Sequence, residues 1–246
     1  MNILDDIEEK VDQYLKLKRR FAPPIIPHES ALIIIDMQNY QVKETSTIAE
    51  SFEKSIPGLV KYFIKRVDEV VTPNIIQLLE FFRENKIPIY YTKFASCRKD
   101  RKDYANNIRA YNEIFENMFG KYIFPSIHEP TADIIPELKP EKNDIVILKT
   151  TNGTFSSTDL EHQLRNLGIN TVIVVGVVTH ICVENTARVA FDLGFNVYVV
   201  DDACAGWSPT LHNAALRSME LFFVNIISTD KLLKNLNKQV KKVNKN

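Results

Sequence analysis

TVIVVGVVTHICVENTA, Thr171–Ala187, is the stretch on which the reading of the fold turns. Thr171–Val175 is β-branched and uninterrupted, which predicts a strand buried on both faces of a parallel sheet. Gly176 ends the run, and Val183–Leu193 predicts a helix stopped by Gly194. Cys182 falls where that helix opens. There the positive end of the helix dipole and unpaired backbone N–H groups favour thiolate, the nucleophilic form of cysteine. A small buried core cysteine is the competing reading.

Outward from this stretch, strands and helices alternate. Strands are expected at Ala31–Ile35, Ile87–Thr92, Asp144–Leu148, Thr171–Val175, Asn196–Val200 and Phe222–Ile227. Helices are expected at Pro73–Asn85, Ser156–Leu167, Val183–Leu193 and Pro209–Glu220. The alternation predicts an α/β fold: a three-layer, doubly wound, six-stranded, mostly parallel sheet with helices on both faces. Residues 1–22 form an amphipathic helix with Ile3, Ile7, Val11, Leu15 and Leu17 at helical spacing, ending before Pro23 and Pro24. Residues 23–233 make one domain, and 234–246 are a polar Lys/Asn-rich tail. The closing KLLKNLNKQVKKVNKN is expected to fray into solvent. Gln41–Val71 and Phe94–Pro140 exceed a minimal α/β unit; segments of this size serve as lids, pocket walls or subunit contacts.

Composition narrows the function classes. Lys+Arg and Asp+Glu balance at 31 each in 246 residues, so no net field recruits nucleic acid or an anionic membrane. Apolar runs are strand-sized, so no membrane span is expected. The N-terminal MNILDDIEEKVDQYLKLKRR has no apolar centre of the signal-peptide kind. Cys97, Cys182 and Cys204 are odd in number and lack CxxC spacing, which points to a reducing compartment and a cytoplasmic protein. No GxGxxG, GxxxxGK[ST] or GxSxG is present, so neither a dinucleotide, a nucleoside triphosphate nor a serine elbow is indicated.

Sites in open parallel sheets assemble at the carboxyl ends of strands. The first strand, ALIIID, stops on Asp36, an acid that is costly to bury unpaired. DIVILK stops on Lys149. The fourth strand leads into Cys182. Strand-end Asp can cap a turn and Lys can reach solvent. Together the three supply an acid/base, a cation and a nucleophile on one edge, with the cation expected to lower the thiol's pKa.

These blocks resemble the isochorismatase-like cysteine hydrolases, which include nicotinamidases, N-carbamoylsarcosine amidohydrolases, and biuret- and ureidoacrylate-type amidohydrolases. The likeness rests on ALIIIDMQN, ILKTTNGTFSSTDLEHQLRNLGI, VVGVVTHICVENTARVAFDLGF and VVDDACAG, and runs from about Ala31 to Leu233. Lys149, Phe155 and Thr158 keep the family's spacing. The resemblance implies an isochorismatase-like, Rossmann-like fold and a triad of Asp36, Lys149 and Cys182. It also implies a cis peptide between Val177 and Val178, with an oxyanion hole made by the backbone N–H groups of Val178 and Cys182. The implied chemistry is attack of the Cys182 thiolate on an amide-type carbonyl, protonation of departing ammonia or amine by Asp36, and hydrolysis of the thioester.

Departures from the relatives refine this. Nicotinamidases carry a metal on an Asp and several His residues in the loops after strands one and two. Here Asn39–Asn117 contains no histidine, and His28, His128, His162, His180 and His212 show no HxH or HExxH spacing, so no metal and no cofactor are expected. Isochorismatases proper cleave a vinyl ether without a thiol nucleophile; the presence of Cys182 favours C–N hydrolysis of a small amide, ureide or carbamoyl compound. TTNGTF stands where many relatives have an RYSAF-type run. Asn152 is a candidate amide or carboxylate partner, and Tyr40 or Phe155 a candidate apolar wall, with packing or turn formation the alternative for each. Trp207 is placed either in the pocket or in the core, and His180 at the pocket mouth rather than in a Cys/His dyad. A vinyl-ether hydrolase and a non-catalytic scaffold are the other two readings. The partners expected are a small-molecule substrate and further copies of the chain, as a dimer or tetramer, because the first helix and the aromatic-rich Phe94–Pro140 need cover.

Overall fold

The computed structural model describes residues 3–222 and 224–243. The Ile3 side chain, Phe223 and residues 244–246, which fall in the expected first helix, last strand and tail, lie outside the described residues. Six strands form one sheet: β1 Ser30–Ile35, β2 Ile89–Phe94, β3 Ile145–Lys149, β4 Thr171–Val177, β5 Asn196–Ala205 and β6 Asn225–Ile227. Their order is β3-β2-β1-β4-β5-β6. All five pairings are parallel, so the sheet is wholly parallel. The chain winds outward from β1 in both directions, which opens a crevice at the carboxyl ends of β1 and β4.

Alternation along the buried strands feeds two cores. Leu32, Ile34, Ile173 and Val175 face one layer with Phe63, Val67, Ile75, Leu78 and Phe82. Ala31, Ile33, Ile35, Val172 and Val174 face the other with Leu160, Leu164, Val183, Ala187 and Met219. Burial on both sides explains why β1 and β4 read as unbroken apolar runs. β4 has all seven residues buried.

Several boundaries differ from expectation. The helix expected at Pro73–Asn85 begins upstream: helical turns run from Lys61 through a wide turn at Val67–Val71 into Thr72–Glu84. Pro73 offers no N–H to an earlier carbonyl, and the wide turn accommodates that gap without ending the helix. Phe222 closes the helix Pro209–Phe222, and β6 starts only at Asn225. Cys204, expected in a turn, lies inside the longer β5. The tail expected to fray is instead a helix, Thr229–Val243, with Leu232 and Leu236 wholly buried in the first core. Its lysines carry the exposed face while leucines at i and i+4 supply the apolar one.

The first helix, Ile3–Lys18, docks on the same chain. Leu15 is buried, Arg217 reaches Glu8 and Asp12, and Arg19 pairs with Glu220. Ile7 and Leu17 stay half exposed, at 49% and 50%. Among the described residues no helix is long and apolar enough to cross a membrane.

Candidate active site

Three strands deliver polar groups to the crevice. β1 ends at Ile35, and the next residue, Asp36, has φ 49°, in the left-handed region that non-glycine residues rarely adopt. Opposite Ile35 sits Gly176, φ 105°, where a Cβ would come within 2.2 Å of the Ile35 carbonyl oxygen. Only glycine permits that approach, so Gly176 lets β1 and β4 close up where Asp36 leaves the sheet. The pairing of β4 with β5 shifts register between Val174 and Gly176, which turns the end of β4 toward the crevice.

Asp36 and Lys149 are both fully buried, with Nζ 2.8 Å from Oδ2. Lys149 stands at the end of edge strand β3, two strands from β1, so its side chain must cross β2. Neighbouring strands lie about 4.8 Å apart, a span that only a long side chain bridges. On the way the ammonium sits over the Phe94 ring, 4.4 Å from its centroid, and donates to the carbonyls of Thr151 (3.0 Å) and Asn152 (2.9 Å). Burial works against the lysine charge, but Asp36 and Cys182 outweigh it and hold the lysine pKa above its ordinary value.

Two residues not singled out from the sequence complete this pair. The Thr92 hydroxyl, on β2 between the partners, donates to Asp36 Oδ1 at 2.6 Å and accepts from the Asp36 N–H at 3.1 Å. Gln41 Nε2 donates to the Asp36 carbonyl at 2.7 Å. A buried threonine within the aromatic run IYYTKF was the available signal, since a polar side chain inside a buried strand needs a partner. Oδ2 of Asp36 keeps the Lys149 contact and accepts no further hydrogen bond among the described residues.

Cys182 lies within the wide turn Thr179–Val183 that leads into the helix Glu184–Asp192, and is buried at 7% exposure. Its thiol interacts with both Asp36 and Lys149. The expectation of a lowered thiol pKa is not met. Burial pushes it up to about 12; Lys149 pulls the other way, and Asp36 adds to the rise. Removal of solvent from the anion outweighs one cation whose charge is already shared with a carboxylate. The Val177–Val178 peptide is cis.

Cys182 opens into a cavity of about 320 Å³. The helix Asn106–Phe119 and the segment after it supply Ile108, Tyr111, Phe115, Ile123 and Phe124. The first long segment supplies Tyr40, Gln41, Ile48 and Phe52. Trp207 packs edge-on against Phe52, centroids 5.3 Å apart, and faces the same space. Both long segments are therefore cavity walls, tied to each other by Lys121 and Glu50 at 2.6 Å.

Tyr40 and Asn152 line this cavity together with Val178 and Cys182. Phe155 does not: its ring stacks on Phe195, 6.1 Å between centroids, in the core on the other side of the sheet. The TTNGTF run holds its course because Gly153 lies against Asn185, where a Cβ would come within 2.4 Å of the side-chain oxygen. His180 is half-buried within the turn Thr179–Val183 and is absent from the cavity lining. Cys204 is buried among β-strand residues, and Cys97 is exposed beside Asp103. Among the described residues no group of three or more His, Cys, Asp or Glu is arranged to hold a metal ion.

This arrangement has known counterparts. The sequence profile of the Isochorismatase domain matches residues 30–231. The chain belongs to the isochorismatase family. Nicotinamidase 3 of Arabidopsis thaliana is 27% identical over 209 residues, 84% of this chain and 88% of the plant protein. Ureidoacrylate amidohydrolase RutB of Acinetobacter baylyi is 26% identical over 216 residues, 82% and 81% of the two chains. Among solved structures, a cysteine hydrolase from Pseudomonas syringae pv. phaseolicola superposes with a TM-score of 0.73 at 22% identity, covering 88% of this chain and 96% of that one. The family is hydrolytic, and its isochorismatase-like α/β fold is the one seen here.

Proposed function

We propose that this isochorismatase-family hydrolase cleaves a C–N bond of a small amide, ureide or carbamoyl compound through a thioester on Cys182. The observation that carries the reading is a fully buried Asp36–Lys149 pair coupled to a cysteine that opens into an aromatic-walled cavity. An ion pair out of water is costly to keep, and it is useful where a proton must move.

In the resting site the thiol holds its proton, in keeping with its raised pKa. As Sγ attacks the carbonyl carbon, Asp36 Oδ2 takes the thiol proton and Lys149 steadies the negative charge. The backbone N–H groups of Val178 and Cys182 serve the oxyanion. Collapse of the tetrahedral intermediate breaks the C–N bond, and the proton on Asp36 passes to the departing nitrogen. Water, deprotonated by Asp36, then adds to the thioester; the C–S bond breaks and the thiolate recovers its proton. Thr92 keeps Oδ1 occupied, so Oδ2 is the oxygen left for these transfers.

Ammonia release from biuret, nicotinamide, N-carbamoyl amino acids and ureidoacrylate tests the reading, with Cys182→Ala as control. Release that depends on Cys182 is expected for at least one amide. Equal release by the Cys182→Ala protein would overturn it. We further propose a homo-oligomer, supported by exposed Tyr14 and Phe21 near the first helix and exposed Ile114 and Met118 on the helix Asn106–Phe119. A monomer in light scattering would refute that.

A further inference from the structure

We infer that the cavity selects an uncharged amide carrying an aromatic or branched apolar group and rejects substrates that bear a carboxylate. The turnover arm of this inference rests on the thioester reading above; its binding arm does not.

The wall is aromatic on several sides, from Phe52, Phe94, Phe115, Phe124 and Trp207. Among the described residues none that lines the cavity is Asp, Glu, Lys, Arg or His. The site's own charges, Asp36 and Lys149, lie fully buried and cancel each other at 2.8 Å. Of the cations on the walls, Arg101 is committed to Glu129 and the Tyr122 ring and Lys121 to Glu50; Arg109, on the helix Asn106–Phe119, pairs with no acid among the described residues but does not line the cavity. A carboxylate entering this space would lose its water and find no counter-charge.

The polar groups that do face the cavity are neutral. Tyr40, Gln41 and Asn152 line it with neutral polar side chains, Gln41 with its Nε2 already donated to the Asp36 carbonyl. They offer donors and acceptors matched to a carboxamide rather than to an anion. Their presence beside Cys182 places the amide end of a substrate there, leaving its apolar end to the aromatic wall. A volume of about 320 Å³ accommodates a single substituted ring.

The test uses a matched pair, 4-nitrobenzamide and 4-carbamoylbenzoate, which are alike in shape and differ in charge. Turnover is measured by ammonia release with the wild-type protein, and binding by calorimetry with Cys182→Ala. A kcat/KM at least about 100-fold higher for the nitro compound is expected, with binding of that compound alone. Tyr111→Arg, at a 57% exposed position on the rim, should shrink the ratio about tenfold by giving the carboxylate a partner. Binding of the nitro compound without turnover would leave the selectivity standing and defeat the thioester reading instead. Equal handling of the two compounds, or binding of neither, overturns the inference.

Discussion

The carboxyl edge of the sheet and the wall of the cavity were made by different parts of the chain under different constraints. On the edge, Thr92 and Lys149 are held by strand register, while Asp36 follows directly on β1 and Cys182 lies in the turn after β4, so their positions follow from a wholly parallel sheet. On the wall, the two inserted segments pack Phe52 on Phe115 at 5.7 Å, and the second of them packs Phe124 on Phe94, at the end of β2, at 5.0 Å. The edge tolerates almost no change because its charges are buried and each group is partnered. The wall is built of apolar contacts, which can be traded for others of similar volume. On the reading proposed above, chemistry belongs to the scaffold and selectivity to what was added to it.

The sharpest way to break this contrast is at the edge. Cys182→Ala, Asp36→Asn and Lys149→Met are each expected to lower kcat about 1,000-fold or more, with non-additive combinations, because the three act as a unit. Thr92→Val should cost about 10- to 100-fold by leaving Asp36 with an unsatisfied oxygen and N–H. Circular dichroism establishes that the variants fold. If two of the three triad losses multiplied independently, the idea of a single coupled unit would fail.

A second measurement separates charge from nucleophilicity at the same edge. With its thiol raised to about 12, wild-type Cys182 should react with iodoacetamide slowly at neutral pH. Its rate should climb about tenfold per pH unit beyond about pH 8.5, where a free cysteine levels off. The signs of the two neighbours are opposite. Lys149→Met removes the cation and should slow alkylation further. Asp36→Asn removes the anion, leaves the thiolate as the partner of Lys149, and should speed alkylation about tenfold or more while turnover is lost. A wild-type rate that levels off near neutral pH would show a resting thiolate instead.

On the wall, effects should be smaller and fall on a different constant. Phe115→Ala and Trp207→Ala remove apolar surface from the substrate's far end, so KM should rise about tenfold with kcat within about threefold. An equal fall in kcat would mean that the wall positions the reacting carbonyl, and the division between edge and wall would be lost.

How much of this was legible follows the same division. β-branched runs ending in Asp36, Lys149 and the turn to Cys182 carry period and punctuation, so strand positions and the meeting of these three residues at one edge could be read directly. Thr92 could not be separated from an ordinary strand threonine without knowing that β2 lies between β1 and β3. Phe155 kept a motif spacing yet turned to the opposite core, because spacing along the chain does not say which face of the sheet a loop residue meets. The thiol's direction of shift was missed for a similar reason: a helix start and a lysine are visible in the sequence, whereas burial is not.

The smallest expected effect on turnover lies in the helix Thr229–Val243, where the sequence misled most. Ten lysines and asparagines among the sixteen residues of KLLKNLNKQVKKVNKN suggested a solvated tail. Against that polar background Leu232 and Leu236 recur at a spacing of four, and both are wholly buried against the layer that also holds Val200 and Leu78. The helix is anchored at its start as well, where Asp202 Oδ1 accepts from the Thr229 N–H and hydroxyl, each at 2.8 Å. Leu236→Ala should therefore destabilise the fold by about 2–5 kcal/mol in denaturant unfolding. Since the helix touches neither the edge nor the wall, kcat and KM of the folded variant should stay at wild-type values. A loss of activity without a loss of stability would show that this third region communicates with the site, and the edge and the wall could no longer be treated as the only two parts that matter to function.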